Sequence, residues 1–218
     1  MEDYLKKAYY IVLGILILII FTGDEGEFYK NINEIKNPSS YLVLVNKNNK
    51  LDQNYIPNDL ELLDLKYSNS GKYLRKDAKI AFEKLSKDAY ANGFRIVAIS
   101  AYRDYEYQDK LFNSYVLEKG LDYALKCSAK PGHSEHQTGL SVDVEGENFD
   151  YNKFDETESF KWIKKNAHKY GFILRYPKGS EEITGFKYEP WHYRYVGIKA
   201  ATYIYENNIT LEEYIKKK

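Results

Sequence analysis

The sequence has little material for cross-linking or for charge-driven binding. Its single cysteine, Cys127, excludes an intrachain disulfide framework and a structural zinc site built from four thiolates. Its 32 basic and 32 acidic side chains give a formal net charge of zero, so no excess of positive charge indicates a nucleic-acid partner. No internal repeat is found, and a length of 218 residues is typical of one globular domain with an appendage.

Long apolar runs are also missing, except near the amino terminus. Residues 8–23 are uncharged and rich in isoleucine and leucine, and they follow Lys6 and Lys7. The run is shorter than the roughly 20 residues of a spanning helix, but flanking lysines extend the effective span. Because no small-residue cleavage site lies near its end, we expect an uncleaved signal anchor, with secretion after cleavage as the alternative.

The charges around this run predict its orientation and the domain boundaries. Lysines precede the run and acidic residues follow it, so the positive-inside rule places residues 1–7 in the cytoplasm and the rest of the chain outside. No cysteine follows the run, which excludes a lipoprotein anchor. The polar residues 24–40 are predicted to be a tether, and residues 41–218 are predicted to be the folded domain.

Helical and strand-like patterns alternate along the predicted domain without a regular βαβ period. This arrangement favours an α+β fold, a single compact domain with a central, largely antiparallel sheet flanked by helices, plus the amino-terminal membrane helix. The predicted strands are 41–45, 94–100, 140–145 and 172–174, and the predicted helices are 74–89, 105–119, 160–167 and one that begins with a capping box at Thr210.

Two of the four histidines lie in patterns typical of a catalytic zinc site. His136 precedes Asp143 by seven residues, and His192 comes from a distant segment of the chain. Two histidines and one aspartate form a usual ligand set that leaves a fourth position open for water. Glu189, three residues before His192, is placed to act as the general base that activates this water.

Local pattern explains how these side chains would meet. Leu140, Val142 and Val144 alternate with polar residues, so burial of the apolar face points Asp143 to the opposite side of a strand. In a regular strand Glu189 and His192 would face opposite ways. Pro190 lies between them and favours a bend, which would bring both side chains to one metal ion.

These segments resemble a known family. Ser-x-His-x-x-Gly-x-x-x-Asp followed by Glu-x-Trp-His is similar to the signature of the VanY-type D-alanyl-D-alanine carboxypeptidases, which belong to a group of zinc peptidases that includes lysostaphin-type enzymes and the hedgehog amino-terminal domain. The resemblance extends from about residue 42 to about residue 200. Further matching segments are Leu44–Lys47, Tyr55–Leu60 and Ser100–Asp104 with Gln108.

The resemblance implies an enzyme, its metal and its substrate. It implies one zinc ion per chain and peptidoglycan stem peptides that end in D-alanine. It also implies that Arg103 and Ser134 hold the terminal carboxylate, a role suited to a planar guanidinium. Gln108 is a weaker candidate, either for hydrogen bonds to the substrate peptide or for bracing the loop. Without the family pattern, Arg103 would be read as an ion-pair partner of Asp104 or Glu106.

Several alternatives stay open at this point. An L,D-carboxypeptidase acting on tetrapeptides would share the same motifs, and an endopeptidase is a third option. From a different functional class, the domain could be a non-catalytic, zinc-bearing module that binds the cell wall. Glu189 argues against this alternative, because a binding module needs no general base. Nucleophilic catalysis by Cys127 with His133 or His136 is a further alternative, while His133 is otherwise expected to pack the loop. Oligomeric state is not predicted.

Overall fold

The computed structural model describes residues 28–148 and 150–218. The predicted signal anchor, residues 8–23, lies outside them. Within the described ranges, no helix combines the length and the apolar character needed to cross a membrane. One compact unit comprises Ile32–Lys218, and it contains every helix and strand discussed below.

The strands form three sheets in the described part of the chain. The strands are β1 Asn33–Glu34, β2 Asn49–Lys50, β3 Leu60–Leu62, β4 Tyr73–Arg75, β5 Val97–Ser100, β6 Ser141–Glu145, β7 Phe172–Leu174 and β8 His192–Tyr195. The main sheet has four strands in the order β5-β6-β8-β7, and all neighbouring strands are antiparallel. Two smaller sheets pair β1 with β2 in parallel and β3 with β4 antiparallel. The prediction of an α+β domain with a largely antiparallel sheet is therefore confirmed.

Seven α-helices accompany the sheets in the described part of the chain. Short 3-10 helices lie at Glu135–Thr138, Tyr151–Glu156 and Ala167–Tyr170. The α-helices are α1 Lys76–Ala91, α2 Tyr105–Lys119, α3 Leu121–Cys127, α4 Glu158–Asn166, α5 Glu181–Thr184, α6 Ile198–Asn207 and α7 Leu211–Lys216.

The two faces of the main sheet pack against different helices. Phe172 belongs to a buried cluster with the α1 side chains and with Val142 and Val144 of β6. Its neighbour Ile173 belongs to a second cluster formed with residues of α6 and α7. Because successive residues of a strand point to opposite faces, these helices cover opposite faces of the sheet. The predicted alternation of β6 is confirmed, and Asp143 lies on the face that α6 and α7 cover.

The prediction of a strand over residues 41–45 is wrong. This segment is a turn followed by irregular chain. Val43 and Val45 are buried as a strand pattern would require, but the carbonyl oxygens of Tyr41 and Val43 accept hydrogen bonds from Arg194 Nη2 at 3.1 and 2.8 Å. A buried guanidinium thus satisfies backbone groups that would otherwise need a neighbouring strand.

Two other boundaries differ from the sequence-based ones. Asn33–Glu34, assigned to the tether by composition, forms β1 by pairing with Asn49–Lys50. Residues 121–127, which carried no predicted element, form α3. Most other elements lie where the pattern placed them, and the capping box of α7 at Thr210 is present in full.

Gly139 controls the turn from the 3-10 helix into β6. Its φ of +67° lies in the left-handed region, and an added Cβ would meet Leu60 Cδ2 at 2.8 Å and Arg75 Cγ at 3.0 Å. Its carbonyl also accepts the backbone N–H of Arg75 at 2.8 Å. Only glycine combines this conformation with such a close approach. The turn brings the end of the loop directly onto the strand that carries Asp143.

We expect Gly139→Ala to lower the free energy of unfolding by more than about 2 kcal/mol, because left-handed strain of roughly 1–2 kcal/mol adds to a steric clash. Gly93→Ala is the matched control, since Gly93 has a φ of +87° with open space around it. Gly93→Ala should therefore lower the free energy of unfolding only by the left-handed strain, roughly 1–2 kcal/mol. Urea denaturation measures both, and equal losses would contradict the packing argument.

Candidate active site

The three predicted metal ligands lie together in the structure. One ligand atom from each of His136, Asp143 and His192 lies within 4.8 Å of the other two. Asp143 and His192 are directly paired residues of β6 and β8, so their side chains leave the same face of the sheet. The 3-10 helix Glu135–Thr138 brings His136 to the same point. Among the described residues, this is the only group of this kind.

The His136 ring is oriented by a backbone carbonyl. Its Nδ1 lies 2.6 Å from the carbonyl oxygen of Ala101, which can only accept a hydrogen bond, so Nδ1 carries the hydrogen. Nε2 then presents its lone pair toward Asp143 Oδ2, 3.2 Å away. A ligating histidine typically donates its other N–H in this way.

The His192 ring is turned the opposite way. Its Nδ1 faces Asp143 Oδ1 at 2.8 Å, and its Nε2 faces Glu135 Oε2 at 3.5 Å. Tyr176 stacks on the ring with a centroid distance of 5.0 Å and an interplanar angle of 27°. The nitrogen that faces the cluster is therefore Nδ1 in His192 and Nε2 in His136.

Glu189 lies beside this cluster, as predicted from the bend at Pro190. The His192 N–H donates to the Glu189 carbonyl at 3.2 Å, which closes a tight turn. The turn brings Glu189 Oε2 within 4.0 Å of His192 Nδ1. Burial raises the pKa of Glu189 to about 7. A buried carboxylate with a pKa near neutrality is suited to exchange protons with a reacting group.

Charges within the cluster set the protonation of its other members. Burial and the nearby Arg103 guanidinium lower the pKa of His136 to about 4. Burial opposes ionisation of Asp143, but His136 and His192 hold the pKa of its carboxyl well below the usual range. Burial likewise opposes the charge on His192, yet hydrogen bonds to Asp143 and Glu135 raise its pKa to about 9. At neutral pH these shifts leave a neutral imidazole at His136 and an ionised carboxylate at Asp143, which suits a divalent cation such as zinc. Such a cation would replace the proton on the Nδ1 of His192.

A cleft of about 590 Å³ opens onto these side chains, and Arg103 and Ser134 contribute to its lining. Arg103 Nη1 donates to Ser100 Oγ at 3.1 Å and lies 3.9 Å from Asp143 Oδ2. Its Nε is buried and has no hydrogen-bond partner in the part of the chain that the structure describes. A guanidinium that lines the cleft beside the cluster is suited to hold a carboxylate.

Gln108 does not line the cleft. It is 1% exposed, and its side-chain amide donates to Ala129 O at 2.8 Å and to Ser128 Oγ at 3.3 Å. These contacts fit the alternative in which Gln108 braces the loop after α3. Of the two roles predicted for Gln108, these contacts favour bracing of the loop over hydrogen bonds to the substrate.

The remaining histidine near the site and the cysteine contribute differently. His133 Nδ1 lies 2.9 Å from the carbonyl oxygen of Asn46, which agrees with the expected role in loop packing. Both ring nitrogens of His136 face Ala101 or Asp143. Cys127 lines the cleft. Because both ring nitrogens of His136 face other groups, His136 is not placed to act as a base for the Cys127 thiol.

Comparisons with known proteins agree with this geometry. The sequence profile of the VanY family, described as D-alanyl-D-alanine carboxypeptidase, matches residues 71–198. The predicted carboxypeptidase YodJ of Bacillus subtilis strain 168 is 43% identical over 206 residues, which cover 88% of this chain and 76% of YodJ. This chain belongs to the VanY family of zinc peptidases.

Two solved structures in the same group show the fold. The LdcB LD-carboxypeptidase is 44% identical with a TM-score of 0.81, and the match covers 86% of this chain and 91% of LdcB. A variant of the vancomycin-resistance D,D-pentapeptidase VanY, solved in complex with Zn(II), is 36% identical with a TM-score of 0.70. The match covers 80% of this chain and 98% of the VanY chain.

The VanY-family motifs did not reveal the buried ion-pair network around Glu135. Glu135 is fully buried beneath the cluster, and its Oε1 accepts hydrogen bonds from Arg175 Nε and Arg194 Nη1, each at 2.7 Å. Burial opposes its ionisation, but the two guanidinium groups hold the pKa of this carboxyl well below its usual range. Arg175 is also paired with Glu212 of α7. Only the alternation of Arg194 with apolar strand residues hints at this network in the sequence.

Proposed function

We propose that this chain is a zinc-dependent D,D-carboxypeptidase that removes the terminal D-alanine from peptidoglycan stem peptides. The observation that carries the proposal is the convergence of His136, Asp143 and His192 beside a buried Glu189, in a cleft that the Arg103 guanidinium lines. Three metal-binding side chains, a base and a carboxylate-binding group are the parts that such a reaction needs. Membership of the VanY family supports it.

The residues have distinct roles in the proposed reaction. A zinc ion held by His136 Nε2, Asp143 and His192 Nδ1 would polarise the scissile carbonyl and favour ionisation of a water at neutral pH. Glu189 takes a proton from the attacking water and passes it to the amine of the leaving D-alanine. Arg103 binds the terminal carboxylate, with Ser134 at the same cleft, and so places the last peptide bond at the reacting centre.

An L,D-carboxypeptidase acting on tetrapeptides is the second candidate. The similarity to LdcB, an LD-carboxypeptidase at 44% identity, favours it, whereas the D,D-pentapeptidase VanY at 36% identity favours the first. Both reactions release D-alanine and use the same base and metal. They differ in the residue that precedes the scissile bond.

A substrate panel separates these functions. The full chain is incubated with muropeptides that end in D-Ala-D-Ala and, separately, with tetrapeptides that end in one D-Ala, with and without a chelator. Chelator-sensitive release of D-alanine from the first substrate is expected. Release from the tetrapeptide alone would make the chain an L,D-enzyme. Binding of either peptide without release would replace the proposal with a wall-binding module.

Arg103→Ala should raise KM for a peptide with a free terminal carboxylate by at least about tenfold, because hydrogen bonds to a charged group are worth about 1.5–3 kcal/mol. The same variant should act on a peptide with a terminal amide almost as the wild type does. Steady-state kinetics on both peptides measure the difference, and zinc content checks that the neighbouring Asp143 still binds metal. Equal effects on the two peptides would argue against Arg103 as the carboxylate-binding residue and would favour the endopeptidase alternative.

We also propose that residues 8–23 anchor the enzyme in the plasma membrane, with residues 1–7 in the cytoplasm and the catalytic domain outside. The support is the apolar run and the distribution of charge around it. Protease added to intact cells should remove the domain if this orientation holds. Recovery of the domain in the culture medium of cells that received no protease would indicate secretion instead.

A further inference from the structure

The buried carboxylate of Glu135 divides its two oxygens between different partners. Oε1 accepts both guanidinium hydrogen bonds, from Arg175 Nε and Arg194 Nη1 at 2.7 Å each. Oε2 accepts the Ser141 hydroxyl at 3.2 Å and faces His192 Nε2 at 3.5 Å. The arginines therefore leave one oxygen for the metal-site histidine.

The strand register explains this arrangement. Ser141 pairs directly with Arg194, and Asp143 pairs directly with His192, two residues further along β6 and two residues back along β8. Both pairs project from the same face of the sheet. Glu135, at the start of the 3-10 helix that carries His136, contacts both members of the first pair and His192 of the second. A single carboxylate can thus contact the arginine layer and the histidine layer at once.

The arrangement also restricts His192. Its ring is held on one face by Tyr176 and meets the His136 ring edge to face, with centroids 5.0 Å apart. Rotation of the imidazole by half a turn about χ2 would remove Nδ1 from Asp143 and bring a C–H group toward Glu135. An ionised carboxylate accepts hydrogen bonds only, so it favours the ring orientation that offers Nε2–H.

We propose that Glu135 is a positioning residue that holds His192 with Nδ1 toward Asp143 and so sets the affinity of the site for zinc. The inference rests on the proposed zinc site. In turn, the arginines hold Glu135, and Arg175 links it to Glu212 of α7 through bonds of 2.8 and 2.6 Å. The carboxy-terminal helix is thereby connected to the metal ligand through two ion pairs.

Zinc affinity of the full chain, measured by competition with a chromophoric chelator, tests this role. Glu135→Gln removes the charge. Glu135→Asp keeps the charge between the arginines but withdraws the carboxylate from His192 by about 1.5 Å, one carbon–carbon bond. Both should raise the Kd for zinc about 10–100-fold, the usual effect of losing a partner behind a metal ligand. Unchanged Kd values in folded variants would overturn the proposal.

Glu212→Gln is the matched control. It weakens the other ion pair of Arg175 without altering an atom that contacts His192. A purely structural network predicts that the variants at 135 and 212 lower Tm alike and leave zinc affinity unchanged. The positioning role predicts a weaker site in the 135 variants only. A wild-type chain that binds no zinc would refute the proposed function itself. A wild-type chain that binds zinc, together with variants that have the same Kd, would refute only the positioning role of Glu135.

A measurement on the wild type covers the case in which neither variant at 135 folds. In the zinc-loaded chain with 15N-labelled histidine, NMR should show hydrogen on Nε2 of His192 and metal coordination through Nδ1. Coordination of His192 through Nε2 would overturn the proposal, because Nε2 could then not donate a hydrogen bond to Glu135.

Discussion

Replacing Glu189 by glutamine is expected to lower kcat about 1000-fold while the protein keeps its zinc. General-base catalysis contributes about 10²–10⁴-fold, and the neutral amide of glutamine cannot take a proton from water. Glutamine has nearly the same shape, so the turn that joins residue 189 to His192 should persist. KM should change little, because Arg103 rather than Glu189 is the residue proposed to bind the terminal carboxylate.

Single-turnover kinetics together with metal analysis test this expectation. The zinc content and Tm of the variant should match those of the wild type. Activity above about a tenth of the wild-type value would remove Glu189 from the mechanism. Loss of zinc along with activity would instead indicate that Glu189 is a ligand.

Replacing His136 by alanine should abolish activity by removing the metal. Loss of an outer partner of a ligand already weakens metal binding 10–100-fold, so loss of a ligand itself should weaken it by more than about 100-fold. The side chain is 2% exposed and sits between Ala101 and Asp143. Apart from His192, no other imidazole among the described residues belongs to the cluster.

His133→Ala is the matched control for this variant. His133 is 5% exposed, lies three residues earlier in the same loop and is hydrogen-bonded to Asn46 O. Its removal should lower Tm but leave zinc content near that of the wild type. Both variants are compared by metal analysis and by D-alanine release at a temperature where circular dichroism shows that each is folded. Equal zinc loss in the two would mean that the loop, and not ligation, controls metal binding.

The sequence predicted the ligands better than it predicted their orientation. Alternation in β6 placed Asp143 on one face, and Pro190 predicted the bend that brings Glu189 beside His192. Which nitrogen of His192 faces the cluster depends on Glu135, a residue adjacent to His136 in sequence that gave no signal of its own. That contact arises from the 3-10 turn and the sheet register, and neither follows from a local pattern.

Buried arginines explain the larger errors. Arg175 and Arg194 are both 0% exposed, whereas a sequence pattern treats charged residues as surface positions. Arg194 satisfies the carbonyls of residues 41 and 43, and so replaces the strand pairing that the apolar run suggested. The two roles predicted for Gln108 could not be separated from sequence, because its contacts with the loop after α3 depend on a helix that the sequence did not predict.

The central claim is that one zinc ion held by His136, Asp143 and His192 is required for release of D-alanine. Titration of chelator-stripped protein with zinc, with D-alanine release measured at each step, tests it most directly. We expect activity to be absent at first and to rise linearly to a break at one zinc per chain. Full activity in the stripped protein, or a rise that requires two or more equivalents, would contradict it.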